Sequence, residues 1–471
     1  MRDRLSAGAA TLPAPPPLAL SDGRAAVRVS TVLRAALWAL LAGNLVRLPA
    51  LTSGAREAPV SVNDLAVLAL LTVGVVAGAS ARSFVLDAVT RRGLLFAAVG
   101  AASAAWAVPR FGLSGAELGF SLAYLARWLA YFAIYPVVIN GLRLADVAAV
   151  SATLQRAILV FAAFGIVQAA LLPGFAQIVY PESTVYVDWD PQGHRLVSTI
   201  LDPNFAGGFI AIGLVLTLAR VSCGVPGLGL PLAVLVTALL LTVSRSSMLA
   251  ALVGALVVAG AAGLSRRMAR VGAALVLLSL PALPALLNFA ASFNKLSIDA
   301  SALTRVVSWL RALQVLGDHP VLGIGFNTYG FVQRAYGWES GRGAFGFSLD
   351  GGLLFIAVMT GVVGLAVYLG MCGRVVRHAR GIWRDGAQPA EHRALAVGAV
   401  AATVALIVHS VFVNSLLLPF LMEPLWVLWG LVYVIAAAPA RGGATPRRSP
   451  PARRPSRPRR RRPARWRSTR A

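Results

Sequence analysis

The sequence predicts an all-α integral membrane protein of about twelve transmembrane helices, with a helical external loop domain between the ninth and tenth. Two observations carry this reading. Apolar residues make up 58% of the 471 residues and charged ones only 13%, about half the share usual in soluble domains. Apolar runs of roughly 17–25 residues, each long enough to cross a hydrocarbon core of about 30 Å as a helix, recur along the chain.

In order, these runs lie near 34–52, 61–80, 93–108, 118–140, 149–173, 203–219, 229–243, 247–263, 271–290, 350–372, 395–415 and 419–437. Cationic loops stay cytoplasmic, so their distribution sets the orientation. With the N-terminus inside, Arg82, Arg91, Arg92, Arg143, Arg220, Arg266, Arg267, Arg270, Arg374, Arg377, Arg380 and Arg384 all fall on the cytoplasmic side. An even number of spans then returns the C-terminus inside and leaves two long external loops, about 174–202 and 291–349.

The flanks differ in kind from the polytopic domain, residues 31–440. Residues 1–30, with "LPAPPPLAL", read as a disordered cytoplasmic N-terminus without an apolar core for a cleavable signal. Residues 441–471 carry thirteen arginines interleaved with proline, cannot build a core, and read as a disordered cytoplasmic tail. The net charge of +25 is therefore largely topological. The tail reads as a stop signal drawn to anionic headgroups, and no nucleic-acid partner is expected. Cys223 and Cys372 both fall at cytoplasmic ends, where neither a disulfide nor a metal cluster is expected.

The second long loop contains "SALTRVVSWLRALQVLGDHP", an amphipathic helix with Ser301 as its N-cap and Pro320 as its stop. Such a helix suits the membrane surface.

Several ionisable residues are expensive where they stand. Arg245, in "LLLTVSRSSMLAALVGALV", sits between Ser244 and Ser246 at the external turn of the seventh and eighth helices, against the positive-inside tendency. An arginine costs up to about 2.5–3.5 kcal/mol at the bilayer centre and less near the interface, so an anion there would offset it. Arg127, Asp350, His409 and Glu423 fall at a similar depth. Each has an ordinary alternative: His409 as an interhelical hydrogen-bond partner, Arg127 paired with Glu423, Asp350 as an acidic N-cap.

Taken together, the set suits a phosphate or pyrophosphate. Arginine's planar fork holds phosphate oxygens bidentately and never loses its proton. Asp350, His409 or Glu423 would accept the proton of an attacking hydroxyl within hydrogen-bond reach. The chain has no P-loop, no G-x-G-x-x-G after a strand and no H-E-x-x-H, so no nucleotide, zinc or other cofactor is implied.

Four segments carry a family resemblance: "HRLVSTILDPNFAGGFIAIGL", "LLLTVSRSSMLAALVGALV", "TRVVSWLRALQVLGDHPVLGIGFNTY" and "SLDGGLLFIAVMTGVVGLAVYL". In order and spacing over roughly residues 190–375 the chain resembles the O-antigen ligase and polymerase superfamily, polytopic membrane glycosyltransferases. The resemblance implies an undecaprenyl-diphosphate-linked oligosaccharide as substrate, membrane lipids and polysaccharide assembly proteins as partners, and a site facing outward from a bacterial cytoplasmic membrane. It implies that Arg245 and Arg305 contact the lipid pyrophosphate, that Arg195 and Asn204 shape the entrance, and that Gly323 and Gly325 turn the loop back toward the cavity. Asp350 completes the catalytic set. Ser244, Ser246, Arg127, His319, His409 and Glu423 complete the substrate-binding one.

Ligases of this family carry a His-Asn pair where this chain has Asp350-Gly351. An acidic residue there resembles the exopolysaccharide or O-antigen polymerase branch, whose acceptor is another lipid-linked repeat. The alternatives are a ligase acting on lipid A core or protein, a lipid-linked sugar flippase, and a membrane scaffold. A transporter fits less well: the halves show no internal repeat and no Gly/Pro-broken helices at matching positions.

Overall fold

The computed structural model describes residues 23–53, 56–79, 84–181, 194–263, 298–338 and 349–438. The ninth expected span at 271–290, parts of both long loops, the first 22 residues and the tail from 439 lie outside the described residues.

Among the described residues, the expectation of a helical membrane protein holds. Seven helical stretches are long and apolar enough to cross a membrane, and three shorter apolar helices, Val62–Gly78, Gly229–Leu241 and Arg245–Ala261, accompany them. In chain order the helices are α1 (Gly23–Ala39), α2 (Val62–Ala79), α3 (Ala88–Phe111), α4 (Gly115–Phe132), α5 (Ile134–Gly141), α6 (Val147–Leu171) and α7 (Phe175–Val179). Then follow α8 (Pro203–Ser222), α9 (Gly229–Leu241), α10 (Arg245–Ala261), α11 (Ile298–Asp318), α12 (Tyr329–Val332), α13 (Gly352–Arg384), α14 (Ala390–His409) and α15 (Pro419–Ala437).

Two expectations need correction. The run at 34–52 is not one helix: α1 starts earlier and is over by Ala39, a 3-10 turn covers Leu40–Ala42, and the rest forms a strand. Gly43 takes a left-handed φ of 52°, and Pro49 has no amide to continue a helical ladder. Strand β1 (Arg47–Ser53) instead pairs antiparallel with β2 (Arg56–Ser61), Arg47 opposite Ser61. Ser301 does not cap the amphipathic helix, because α11 already includes Ile298.

Local chemistry sets four helix starts. Asp87 accepts from the amides of Val89 and Thr90 at the start of α3, and Ser114 with Glu117 forms a capping box on α4. Asp202 caps α8 with Pro203 in the first turn, and Ser244 caps α10.

Small residues let the helices at the centre approach closely. A side chain at Gly398 would meet Leu216, and one at Gly254 would meet Val215, so α14 and α10 lie tight on α8. The most enclosed span is α15, almost wholly buried, with Trp426 and Trp429 inside. Trp429 Nε1 donates to Thr403 on α14 at 2.9 Å.

The loop after α11 is folded into a break in α13. Gly361 interrupts α13 with φ 67°, which frees backbone groups that a membrane interior leaves without water. Residues 320–325 pair with them: Ile324 N donates to Val358 O at 3.0 Å, Gly325 N to Met359 O at 3.1 Å, and Val362 N to Pro320 O at 2.8 Å. Ser103 of α3 joins from the side, donating to Met359 O at 2.7 Å. Gly323 and Gly325 thus do turn the loop back, and its target is the broken helix.

Candidate functional site

Three sequence-distant segments meet at one end of the bundle. Asp202 is buried and accepts from Asn204 N at 2.7 Å and Phe205 N at 3.0 Å, which fixes the start of α8. Asn204 then presents Oδ1 to Ser244 Oγ at 2.9 Å, joining the starts of α8 and α10. Ser244 also touches Ser246 Oγ at 3.2 Å and Ser247 Oγ at 2.8 Å. Beside them, Arg195 donates from Nε to Thr242 O at 2.9 Å. Burial holds the Asp202 carboxyl above its usual value, while its two amide donors and the Arg195 charge oppose that and the Asp350 charge adds to it.

His409 belongs to this junction and is closed to solvent. It is fully buried at the end of α14, with Nε2 3.0 Å from Ser247 Oγ and Nδ1 against Ser415 Oγ. Ser247 Oγ donates its single proton to Asn204 O at 3.0 Å. With that proton so placed, His409 donates from Nε2 and accepts from Ser415 at Nδ1; the reverse sense goes with the other tautomer.

The start of α13 abuts the turn that follows α14. Leu353 N donates to Ser410 O at 3.2 Å, and Gly352 N to Val413 O at 3.1 Å. Asp350 does not cap α13, because the N-cap is Gly351 at φ 107°, where an added Cβ would lie 2.8 Å from Val411 O. The glycine in Asp350-Gly351 is therefore required by the backbone. Trp309 of α11 donates from Nε1 to Asp350 O at 2.8 Å and holds this corner.

Arg245 occupies the first position of α10 and is exposed, with no ion pair or hydrogen bond to any described residue. The residue at 243 is held in a conformation a branched side chain resists: Val243 has φ 50°. Arg305 lies on α11, and its side chain is outside the described residues.

Three candidates fall elsewhere. Arg127 does not pair with Glu423. Its NH2 lies 2.7 Å from Asp64 Oδ2, and NH1 donates to Pro59 O at 3.2 Å. Asp64 Oδ1 also accepts from Tyr131 at 3.0 Å, and fully buried Glu423 takes a 2.8 Å hydrogen bond from Asn63 Nδ2. This second network ties the β-hairpin and α2 to α4 and α15. His319 lies at the end of α11, edge-on to Phe111 at 5.2 Å, in a separate cleft.

Sequence reading left Asn63, Asp64 and Ser415 out of the candidate set. Asp64 carried a signal, an acidic residue in the first turn of a span, but its arginine partner is 63 positions away. Ser415 had none.

Residues 230–369, from α9 to the first half of α13, match the family model described as O-antigen ligase, a match that supports membership in the O-antigen ligase and polymerase superfamily. The matched segment includes Ser244, Arg245, Ser246, Arg305, His319 and Asp350, while Asn204 and His409 reach it only through the fold. No curated protein matches the chain.

Proposed function

We propose that the chain is a glycosyltransferase at the external face of a bacterial cytoplasmic membrane, passing glycan from a polyprenyl diphosphate to a hydroxyl. Within that class it acts as an exopolysaccharide or O-antigen polymerase, whose acceptor is a second lipid-linked repeat. One observation carries the reading: Arg245, exposed and unpaired among the described residues, stands at the first position of a helix beside Arg195 and the Ser244 cluster. The match of residues 230–369 to the O-antigen ligase model supports it.

The chemistry follows from the charges. Arg245, with Arg195 and Arg305, holds the diphosphate oxygens, and the positive ends of α10 and α13 flank the end of α14 and the turn that follows it. The acceptor oxygen attacks the anomeric carbon while the bond to the diphosphate oxygen breaks on the opposite face, inverting that centre. The charge that develops on the leaving diphosphate is met by fixed cations. Asp350 takes the hydroxyl proton. His409 and Asn204 hold the serine turn in place.

The test is transfer by purified protein with native lipid-linked repeat, products resolved by size. A ladder of longer lipid-linked glycans, reduced at least a hundredfold in Arg245→Ala, is expected; wild-type rates in that variant would remove the reading. Transfer only when lipid A core or a protein acceptor is added would make the chain a ligase.

A further inference from the structure

The transfer site leaves unused the cleft that receives His319. Its volume is about 740 Å³, and its lining includes Trp106, Arg110, Phe111, Asp318, His319 and Tyr336. Three of the lining groups are held by neighbours: Tyr336 donates to Asp318 Oδ2 at 2.9 Å, and His319 stands edge-on to Phe111. The Trp106 ring is 54% exposed, so an aromatic surface is free to be covered. Tyr336 stacks on Trp338 at 4.7 Å, and the Arg311 guanidinium lies 5.2 Å over that second ring.

The cleft lies at the same end of the bundle as Asp350. At one end of this stretch of α11, Trp309 bonds Asp350 O. Ten residues on, His319 lines the cleft, about 15 Å away at 1.5 Å per helical residue. An independent route agrees: Ser103 on α3 bonds Met359 on α13, and from that level α3 runs on to Phe111 as α13 runs back to Gly352.

We infer that this cleft is a saccharide subsite, which holds the glycan a short oligosaccharide's length from the bond being made. The inference rests on the glycosyltransferase reading for its place in the reaction. Its own basis is chemical. A pyranose has an apolar C–H face, which suits the uncovered Trp106 ring, and a rim of hydroxyls, which suits the carboxylate, guanidinium and imidazole placed around it. A tryptophan serving only as a membrane-interface anchor would need no such polar rim.

The probe is the lipid-free oligosaccharide released by mild acid from the host's lipid-linked glycans, titrated into detergent-purified protein by calorimetry. Wild type and Arg245→Ala should bind it alike, because the cleft reads sugar and not diphosphate. Trp106→Ala should weaken binding at least tenfold and shorten the product ladder. Asp318→Asn, a surface change, should weaken binding without unfolding risk and serves if the tryptophan variant fails to fold. No binding by wild type, or wild-type binding in both cleft variants, would overturn the subsite even if transfer proceeds. Binding that Trp106→Ala abolishes, with no transfer by wild type under any acceptor, would keep the subsite and remove the enzyme reading.

Discussion

Ser247 and His409, 162 positions apart in the chain, face each other at 3.0 Å between Oγ and Nε2, and neither is open to solvent. This contact joins the start of α10, which carries Arg245, to the end of α14. It explains why Gly207 and Gly208 are glycines: an added Cβ would lie 2.4 Å from Ser247 Oγ at the first and 3.1 Å from His409 Cε1 at the second.

Replacing His409 by Leu should therefore act on stability before chemistry. Ser247 and Ser415 would each lose a buried partner, at about 1–3 kcal/mol apiece. A fall in thermal midpoint in detergent, larger than that of His409→Gln, is the expected result. An unchanged midpoint with lost transfer would mean that His409 acts chemically.

Asp202 gives the junction a pH dependence. Its carboxyl is held above the usual value by burial, so the folded state binds a proton that the unfolded state releases between the ordinary and the raised values. Stability from this group is present below the ordinary carboxylate range and declines as pH rises through the raised value. Asp202→Asn keeps an acceptor for Asn204 N and Phe205 N but carries no charge. Thermal midpoints measured against pH should show the variant gaining on wild type as pH rises; parallel curves would contradict the buried charge.

Much of this was legible in the sequence, for local reasons. Hydropathy runs mark the spans because a span must be apolar along its length, and "LDPN" and "SRSS" mark helix starts because capping depends on neighbours in sequence. Long-range pairing was not legible. Arg127 and Glu423 do share one polar region, but their partners, Asp64 and Asn63, lie on α2, and charge alone does not say which carboxylate an arginine meets. The β-hairpin was hidden for a related reason: residues 47–53 are apolar enough to extend the first span, and only Pro49 argues otherwise.

The second network makes an asymmetric prediction. Asp64 is neutralised by Arg127 at 2.7 Å, whereas Glu423 meets only an amide and leaves Oε1 without a partner. Asp64→Ala strands a partly buried guanidinium and should cost about 1–3 kcal/mol, below the range for fully buried pairs because both side chains keep some exposure. Glu423→Gln keeps the packing and an acceptor for Asn63, and should be neutral or stabilising. Chemical denaturation in mixed micelles measures both; equal losses would show that Glu423 has a cationic partner.

The break in α13 should be the least tolerant point in the described fold. At Gly361 the left-handed φ disfavours any other residue, and an added Cβ would fall 1.9 Å from Val321 O, a backbone atom that cannot rotate away. Gly361→Ala must therefore either straighten α13 or expel residues 320–325. Expulsion would leave the Val358 carbonyl unpaired in an apolar setting at about 1–3 kcal/mol, while Met359 O would keep only Ser103. Gly119→Ala is the matched control, on a helix where an added Cβ meets nothing within 4 Å, and should stay within about 0.5 kcal/mol of wild type. The measurement is yield of monodisperse protein together with protease sensitivity at 320–328. Gly361→Ala should lose the first and gain the second; wild-type behaviour would mean that the kink is not held by its loop.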